Sequence, residues 1–430
     1  MKKILIISYY FPPANYIAAN RPKSFAENFK KYGLSPTVIT RHWDGDENGW
    51  EDLERINTTS LEITEHESYT LIQLPCSARW YNRFCRSCHR ITFLKRFFHL
   101  TSVMLGIFGL HQPANECFYD YLQNYLKKNK VNFLMVTSPP LNIVKLGHLL
   151  SEEFQIPLIV DFRDLWDNGL LDVEHESGLE DRVKNFFYEF YFKKWLKGAS
   201  LIASVSGPLV EEIKRLRSDV KTLVVMNGFE KELFDELSDS AYHINSKFTF
   251  STVGTLYPEQ DLSVLIEGLK LFLKDKDLRE IQLNFIGTGS FPEVRLALEK
   301  NLPQESTLVT GRIPREQALQ KTLEADILFY AGWKGYKGRA SGKIFEYLGA
   351  GKNVLIAPSD NDIIEKIVLE TGAGKLADSP QEFAQILNQW FEEWKTKGRL
   401  SYKGDVNKIE FYSRENQAEI YAREIMNIKE

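Results

Sequence analysis

Short apolar runs alternate with longer amphipathic stretches along nearly all of the 430 residues. In the first half the runs are KILIISYY, SPTVIT, TLIQLP, NFLMVTS, PLIVDF, SLIASVS and TLVVMN. They are apolar throughout rather than alternating, the pattern of parallel strands buried on both faces. Between several of them lie stretches of helical spacing, such as RPKSFAENFKKYG, LNIVKLGHLLSEEF and RVKNFFYEFYFKKWLKG. The rhythm stops at the polar, acidic FEKELFDELSDSAYHINSK. It resumes with FTFSTVGTL, IQLNFIGTG, STLVTGR, ADILFYAG, NVLIAP and GAGKLAD. Strand, helix, strand repetition predicts doubly wound sheets with right-handed crossovers. The expected fold is therefore α/β, with two Rossmann-like parallel-sheet domains at 1–229 and 247–410, a linker at 230–246, and a C-terminal helix within 411–430 packing back on the first domain. Open sheets of this kind take ligands beyond the carboxyl ends of their strands, so the two are expected to face a common cleft.

Length agrees with two domains. A hydrophobic fraction of 43% and a charged fraction of 26% are those of an ordinary globular chain and argue against wholesale disorder. A net charge of -4 gives no global reason to expect nucleic acid. Four cysteines, Cys76, Cys85, Cys88 and Cys117, do not make a disulfide scaffold in so long a chain, which points to a reducing, cytoplasmic setting. The opening MKKILIISYYFPP is short, β-branched and closed by aromatics and a proline pair, so it reads as a first strand and not a signal segment. No run is long enough to span a bilayer as a helix.

The stretch GRASGKIFEYLGAGKNVLIAP, Gly338–Pro358, carries the densest candidate chemistry. Glycines at a helix start let backbone approach a ligand, and the free N–H groups there attract anions. Arg339, Lys343 and Glu346 share one face if the helix begins early enough, while Ile344, Phe345 and Leu348 look like core. A diphosphate would meet Lys343 as a point charge and Arg339 as a forked donor, with Glu346 one turn deeper facing ribose hydroxyls. The competing reading is a solvated Lys–Glu pair worth a few tenths of a kcal/mol. The glycine density of the preceding loop, which a surface helix does not need, favours the ligand.

This Lys–x–x–Glu–Tyr–Leu helix followed by Gly–x–Gly–Lys–x–Val resembles the donor-binding helix of retaining GT-B glycosyltransferases of the family 4 type (glycosyl transferases group 1). MKKILIISYYFPPANYIAANRPKSFAENFKKYG, VTSPPLNIVKLGHLLSEEFQIPLIVDFRDLW, SVSGPLVEEI, VVMNGFE, TVGTLYPEQDLSVLIEGL, FIGTGS and GRIPREQAL are similar to the same family in order. The resemblance implies transfer of a sugar from a nucleotide-sugar donor, UDP- or GDP-linked, with retention and without metal or other cofactor. It places Glu346 as the second glutamate of an E-x7-E motif holding the ribose, with Arg339 and Lys343 at the diphosphate. Ser341, Gly342, Gly254 and Thr255 would line the donor loop, and Gly287 and Gly289 the turn beside the base. Asn20, Arg21, Asp161, Arg163 and Asp164 would line the acceptor side, with Asp161 and Arg163 near the chemistry. Gly338 stands where the first motif glutamate belongs, which leaves the sugar contact open. A GT-B nucleotide-sugar 2-epimerase and a non-catalytic nucleotide-binding subunit of an envelope-assembly complex are the alternatives.

Three other stretches have their own readings. In DFRDLW, Asp161, Arg163 and Asp164 suit either a strand-end salt-bridge network or a ligand contact. Ser138–Pro140 reads first as a proline-fixed turn. From Ser68 to Asn115 there is no Asp or Glu, and Arg79, Arg83, Arg86, Arg90, Lys95 and Arg96 alternate with aromatics. Such a segment, about 79–110 within an insertion at about 76–115, suits an anionic membrane surface, each cation adding about 1 kcal/mol. Plain packing is the next reading and nucleic acid is not expected. A lipid-linked or saccharide acceptor follows, in envelope polysaccharide or glycolipid synthesis at the inner face of the plasma membrane. Cys76, Cys85, Cys88 and His89 lack proper zinc spacing, so no metal is expected.

Overall fold

The computed structural model describes residues 1–14, 16–43, 61–75, 97, 100–101, 103–105, 114–165, 179–240 and 245–429. The cation-rich segment expected at a membrane surface, and Cys76, Cys85, Cys88 and His89, lie almost wholly outside them. Among the described residues no helix is long and apolar enough to cross a membrane.

The chain divides into two compact units. The first comprises residues 1–170, 175–226 and 418–430, and the second 171–174 and 227–417. The stretch read as a linker carries a helix, Lys231–Ser240, on which Glu232 and Asp235 are exposed and Phe234 is buried, and the boundary falls between Met226 and Asn227.

The first unit is built on eight strands: β1 (Lys2–Ser8), β2 (Leu34–Arg41), β3 (Glu62–Glu65), β4 (Thr70–Leu74), β5 (Phe133–Ser138), β6 (Leu158–Phe162), β7 (Ala199–Ser204) and β8 (Thr222–Val224). Their order is β3-β4-β2-β1-β5-β6-β7-β8. All pairings are parallel except that of β3 with β4. β1, β5 and β6 are buried along most of their length, which is why their sequences are apolar without alternation. β3 has no such signal: every one of its residues is exposed, as an edge strand allows. The order reverses between β1 and β5, so loops leaving these two strands diverge and open a crevice at their carboxyl ends.

One layer over this sheet is completed from far along the chain. Ala418, Tyr421, Ala422 and Ile425, in the helix Arg414–Met426, join Phe25, Phe29, Leu34 and Met135 in a single buried cluster. The Tyr421 ring meets Phe25 edge-on at 5.2 Å and Phe29 at 6.1 Å. Its hydroxyl is buried and, among the described residues, has no hydrogen-bond partner, and burial raises its pKa.

The second unit has six parallel strands, β9 (Phe248–Val253), β10 (Ile281–Ile286), β11 (Thr307–Val309), β12 (Ile327–Tyr330), β13 (Asn353–Ile356) and β14 (Gly374–Leu376), in the order β11-β10-β9-β12-β13-β14. Its switch point lies between β9 and β12. Helices Ser263–Leu273 and Pro380–Lys397 cover one face, packing Phe272, Phe383 and Phe391 against Phe248, Phe250 and Phe329. They approach so closely that a Cβ on Gly268 would fall 2.5 Å from the Phe383 ring.

Tyr421→Ala is expected to lower the unfolding free energy of the first unit by about 3–5 kcal/mol, since a large buried ring leaves a cavity. Tyr421→Phe removes an unpaired buried hydroxyl and should leave stability unchanged or slightly higher. Urea denaturation followed by a probe in the first unit checks both, and equal losses in the two variants would refute the packing role.

Candidate functional site

In the second unit the polar groups collect at the switch point. The helix Gly342–Gly349 begins there, after the loop that leaves β12. Ser341 caps it, its hydroxyl accepting from the Lys343 backbone N–H at 3.3 Å. Tyr347 fixes the helix to the sheet: its buried hydroxyl accepts from Val253 N–H at 2.9 Å, and the carbonyls of Val253 and Phe329 both lie 3.2 Å away. The apolar residues Ile344, Phe345 and Leu348 are buried as the sequence pattern requires.

Lys343 is thereby turned toward the loop after β9. Its Nζ donates to the Thr255 carbonyl at 3.0 Å. Gly254 has φ +98°, and a Cβ there would come within 3.1 Å of Lys343 Cε. A side chain at 254 would thus both strain the backbone and push the lysine away. Burial pulls the Lys343 pKa down to about 8, with Glu346 working weakly in the other direction. Lys343 is partly buried, so its ammonium is only partly hydrated.

Gly287 lies beside Gly254, since a Cβ on it would meet the Gly254 backbone at 3.5 Å. Its N–H donates to Thr310 Oγ1 at 3.0 Å, and Gly289 N–H to the Thr310 carbonyl at 2.9 Å. The structure therefore brings Gly254, Thr255, Gly287, Ser341, Gly342 and Lys343 together, with Gly289 facing the loop after β11.

Glu346 sits one turn along the helix from Lys343 and is partly buried. Arg315, at the start of the helix Arg315–Leu323, reaches to 3.8 Å from its carboxylate. Arg315 also contacts Glu230 at 3.3 Å, and Glu230 in turn pairs with Arg414. Burial raises the Glu346 pKa, and Arg315 and then Arg414 counter it. Arg315, Glu230 and Arg414 were not foreseen, because pairs so far apart in sequence leave no local pattern.

One expectation needs correction. The helix starts at Gly342, so Arg339 precedes it and does not share a face with Lys343 and Glu346. Its guanidinium instead lies over Trp333 and Tyr336, 4.2 Å from each ring centre. Gly338 has φ +77°, a conformation a glutamate would strain to adopt. Its N–H donates to Asp362 Oδ2 at 2.6 Å, so the carboxylate beside this position comes from the loop after β13.

In the first unit, Arg21 and Asp161 form a buried bidentate pair at the carboxyl ends of β1, β5 and β6. Arg21 Nε donates to Asp161 Oδ2 at 2.8 Å and Nη2 to Oδ1 at 2.6 Å. Arg21 Nη1 donates to the Met226 carbonyl at 3.2 Å. Asp161 is 0% exposed and Arg21 6%. With both oxygens held, Asp161 positions Arg21 and the strand ends, the salt-bridge reading of DFRDLW. Arg163 makes a second forked pair, to Asp164 Oδ2 at 3.0 and 2.7 Å. Asp164 is exposed, while Asn20 is partly buried as the first residue of the helix Asn20–Asn28.

Among solved structures the chain is similar to sucrose-phosphate synthase from Thermosynechococcus elongatus, with a TM-score of 0.63 at 14% identity over 99% of this chain and 98% of that one. It is also similar to a UDP-forming α,α-trehalose-phosphate synthase from Burkholderia xenovorans, solved with glucose-6-phosphate, with a TM-score of 0.61 at 10% identity over 99% of this chain and 100% of that one. Anabaena HepE, solved with UDP-glucose, matches with a TM-score of 0.59 at 14% identity over 99% of each chain. No family model and no curated protein matches. The fold is GT-B, as the sequence motifs implied.

Asp161→Ala would leave the Arg21 guanidinium buried without its partner, at a cost of about 3–5 kcal/mol. Replacing both residues by apolar ones of similar size, Arg21→Met with Asp161→Leu, should recover much of that loss. Denaturant titration of the single and double variants checks the prediction. A single variant within the error of the parent would show that the pair holds nothing.

Proposed function

We propose that the chain is a glycosyltransferase that takes a sugar from a nucleotide-sugar donor, UDP- or GDP-linked, and retains the anomeric configuration. The observation that carries this reading is the half-dry Lys343 ammonium at the β9–β12 switch point, beside the helix N-terminus and one turn from a partly buried glutamate. A diphosphate needs concentrated positive charge, and a ribose needs a carboxylate that accepts from two hydroxyls. Both are present on one short helix. The likeness to proteins solved with UDP-sugar supports it at the level of fold.

In the proposed reaction the acceptor hydroxyl oxygen forms a bond to the anomeric carbon as the bond from that carbon to the diphosphate breaks. The hydroxyl proton passes to the departing phosphate oxygen. Lys343 and the N–H groups at the start of its helix face the charge that grows on the leaving group, and this preorganised field lowers the barrier. Such charge makes a divalent ion unnecessary, so turnover should survive chelation. Arg339 would add to the field after leaving its aromatic stack. Arg315 orients Glu346 and counters the burial that raises its pKa, which suits a carboxylate that must accept from the ribose. We infer a lipid-linked or saccharide acceptor in envelope synthesis from the acid-free, cation-rich sequence at 79–110, which would favour an anionic membrane surface.

Calorimetric titration with UDP tests the donor site. Lys343→Ala and Glu346→Ala should each weaken binding by about 1.5–3 kcal/mol, roughly ten- to 150-fold. Glu346→Ala should also erase the preference for UDP over its 2′-deoxy form. Binding that is unchanged in both variants would refute the site. The pH profile gives a second check. Lys343 loses its proton near pH 8 in the free protein, so UDP affinity should fall as pH rises through about 8. In Lys343→Ala the same range should be flat; a parent profile already flat from pH 7 to 9 would contradict the assignment.

A further inference from the structure

The first unit holds a pocket that the donor reading does not use. It opens at the β1–β5 switch point, with about 230 Å³ of free space including open solvent, and Arg21, Ser138, Asp161 and Arg163 are among its walls. Most of its polar groups are already committed. Ser8 Oγ donates to the Tyr10 carbonyl at 2.6 Å, and Thr137 Oγ1 donates to Ser8 Oγ at 2.9 Å. Arg21 and Asp161 neutralise each other. Two groups remain. The hydroxyl of Ser138, a residue 2% exposed, and Nη1 of Arg163 are both buried and, among the described residues, without a hydrogen-bond partner. Buried donors left open in this way need an explanation, and in the wall of a pocket a ligand supplies one.

The character of that ligand follows from what is left over. Of the three charged residues in the wall two are cations and one is a carboxylate that is already bound. The free groups sit at the end of β5 and just beyond β6, so they suit a ligand group with oxygens pointing in several directions. We propose that this pocket binds the phosphate of a phosphorylated acceptor, with Arg163 Nη1 and Ser138 Oγ each donating to a phosphate oxygen. The inference rests on the glycosyl-transfer reading and specifies its acceptor. Asp164 keeps Arg163 oriented through its other two nitrogens, leaving Nη1 as its open charged donor. A phosphate here would turn these two open donors into a satisfied network.

Titration of the full chain with inorganic phosphate, in the presence of saturating UDP, tests the proposal. Phosphate is expected to bind, and Ser138→Ala and Arg163→Gln are expected to weaken it at least tenfold while UDP affinity stays as in the parent. Ser138→Ala removes only an unpaired hydroxyl, so its melting temperature should not fall; lost phosphate binding then cannot be put down to misfolding. Glucose 6-phosphate and a short-chain phosphatidic acid separate a soluble sugar phosphate from a lipid phosphate. The one that resembles the acceptor should bind more tightly than phosphate itself, and that gain should vanish in both variants. The proposal is overturned if phosphate fails to bind, is displaced by UDP, binds the variants as well as the parent, or gains nothing from either ester. Loss of UDP binding with phosphate binding intact would instead overturn the donor reading alone.

Discussion

A parallel strand buried on both faces has nowhere to put polar groups except at its ends, and the crossover helices close off one of those ends less than the other. Both units obey this constraint. Their strand interiors are mostly apolar, with small or hydrogen-bonded exceptions such as Ser251, Thr252 and Asn284, and their candidate chemistry gathers where strand order reverses, between β1 and β5 in one and between β9 and β12 in the other. The side chains that matter are therefore those at the last residue of a strand, one or two residues past it, or at the first turn of the following helix. Ser138, Arg163, Gly254, Thr255 and Lys343 all occupy such positions.

The two units handle buried charge in opposite ways. At the first, Asp161 and Arg21 cancel within a forked pair, which leaves a nearly neutral wall with two open donors. At the second, Lys343 has only a carbonyl as its close partner and its ammonium is kept short of water. Glu346 is supported by cations from two other elements, Arg315 directly and Arg414 through Glu230. Desolvation without a full counter-charge lowers stability, and an external anion would relieve it.

Much of this was legible in the sequence, for a physical reason. Unbroken apolar runs announce parallel strands, and each run read that way contains a strand. Glycines before a Lys–x–x–Glu helix announced the second site, because backbone approach and a helix start are local properties. What was hidden was non-local or weakly patterned. β3 is fully exposed and carries no hydrophobic signal. The placement of Arg339 depended on where the helix begins, which cap geometry decides within a residue or two. Arg315, Glu230 and Asp362 reach their partners across the fold. The open donors of Ser138 and Arg163 appear only once every neighbour's hydrogen bonds have been assigned.

The cluster that includes Tyr421 also bears on how the molecule is made. The layer it completes belongs to the first unit, yet Ala418–Ile425 follows all of Asn227–Gln417 in the chain. On a ribosome, Phe25 and Phe29 would wait about 20–80 s, at ordinary elongation rates, for the residues that cover them. During that interval the first unit is an unfinished sheet with an aromatic patch open to solvent. Translation speed through the second unit, and any chaperone that shields the patch, thus become part of what determines the yield of native protein.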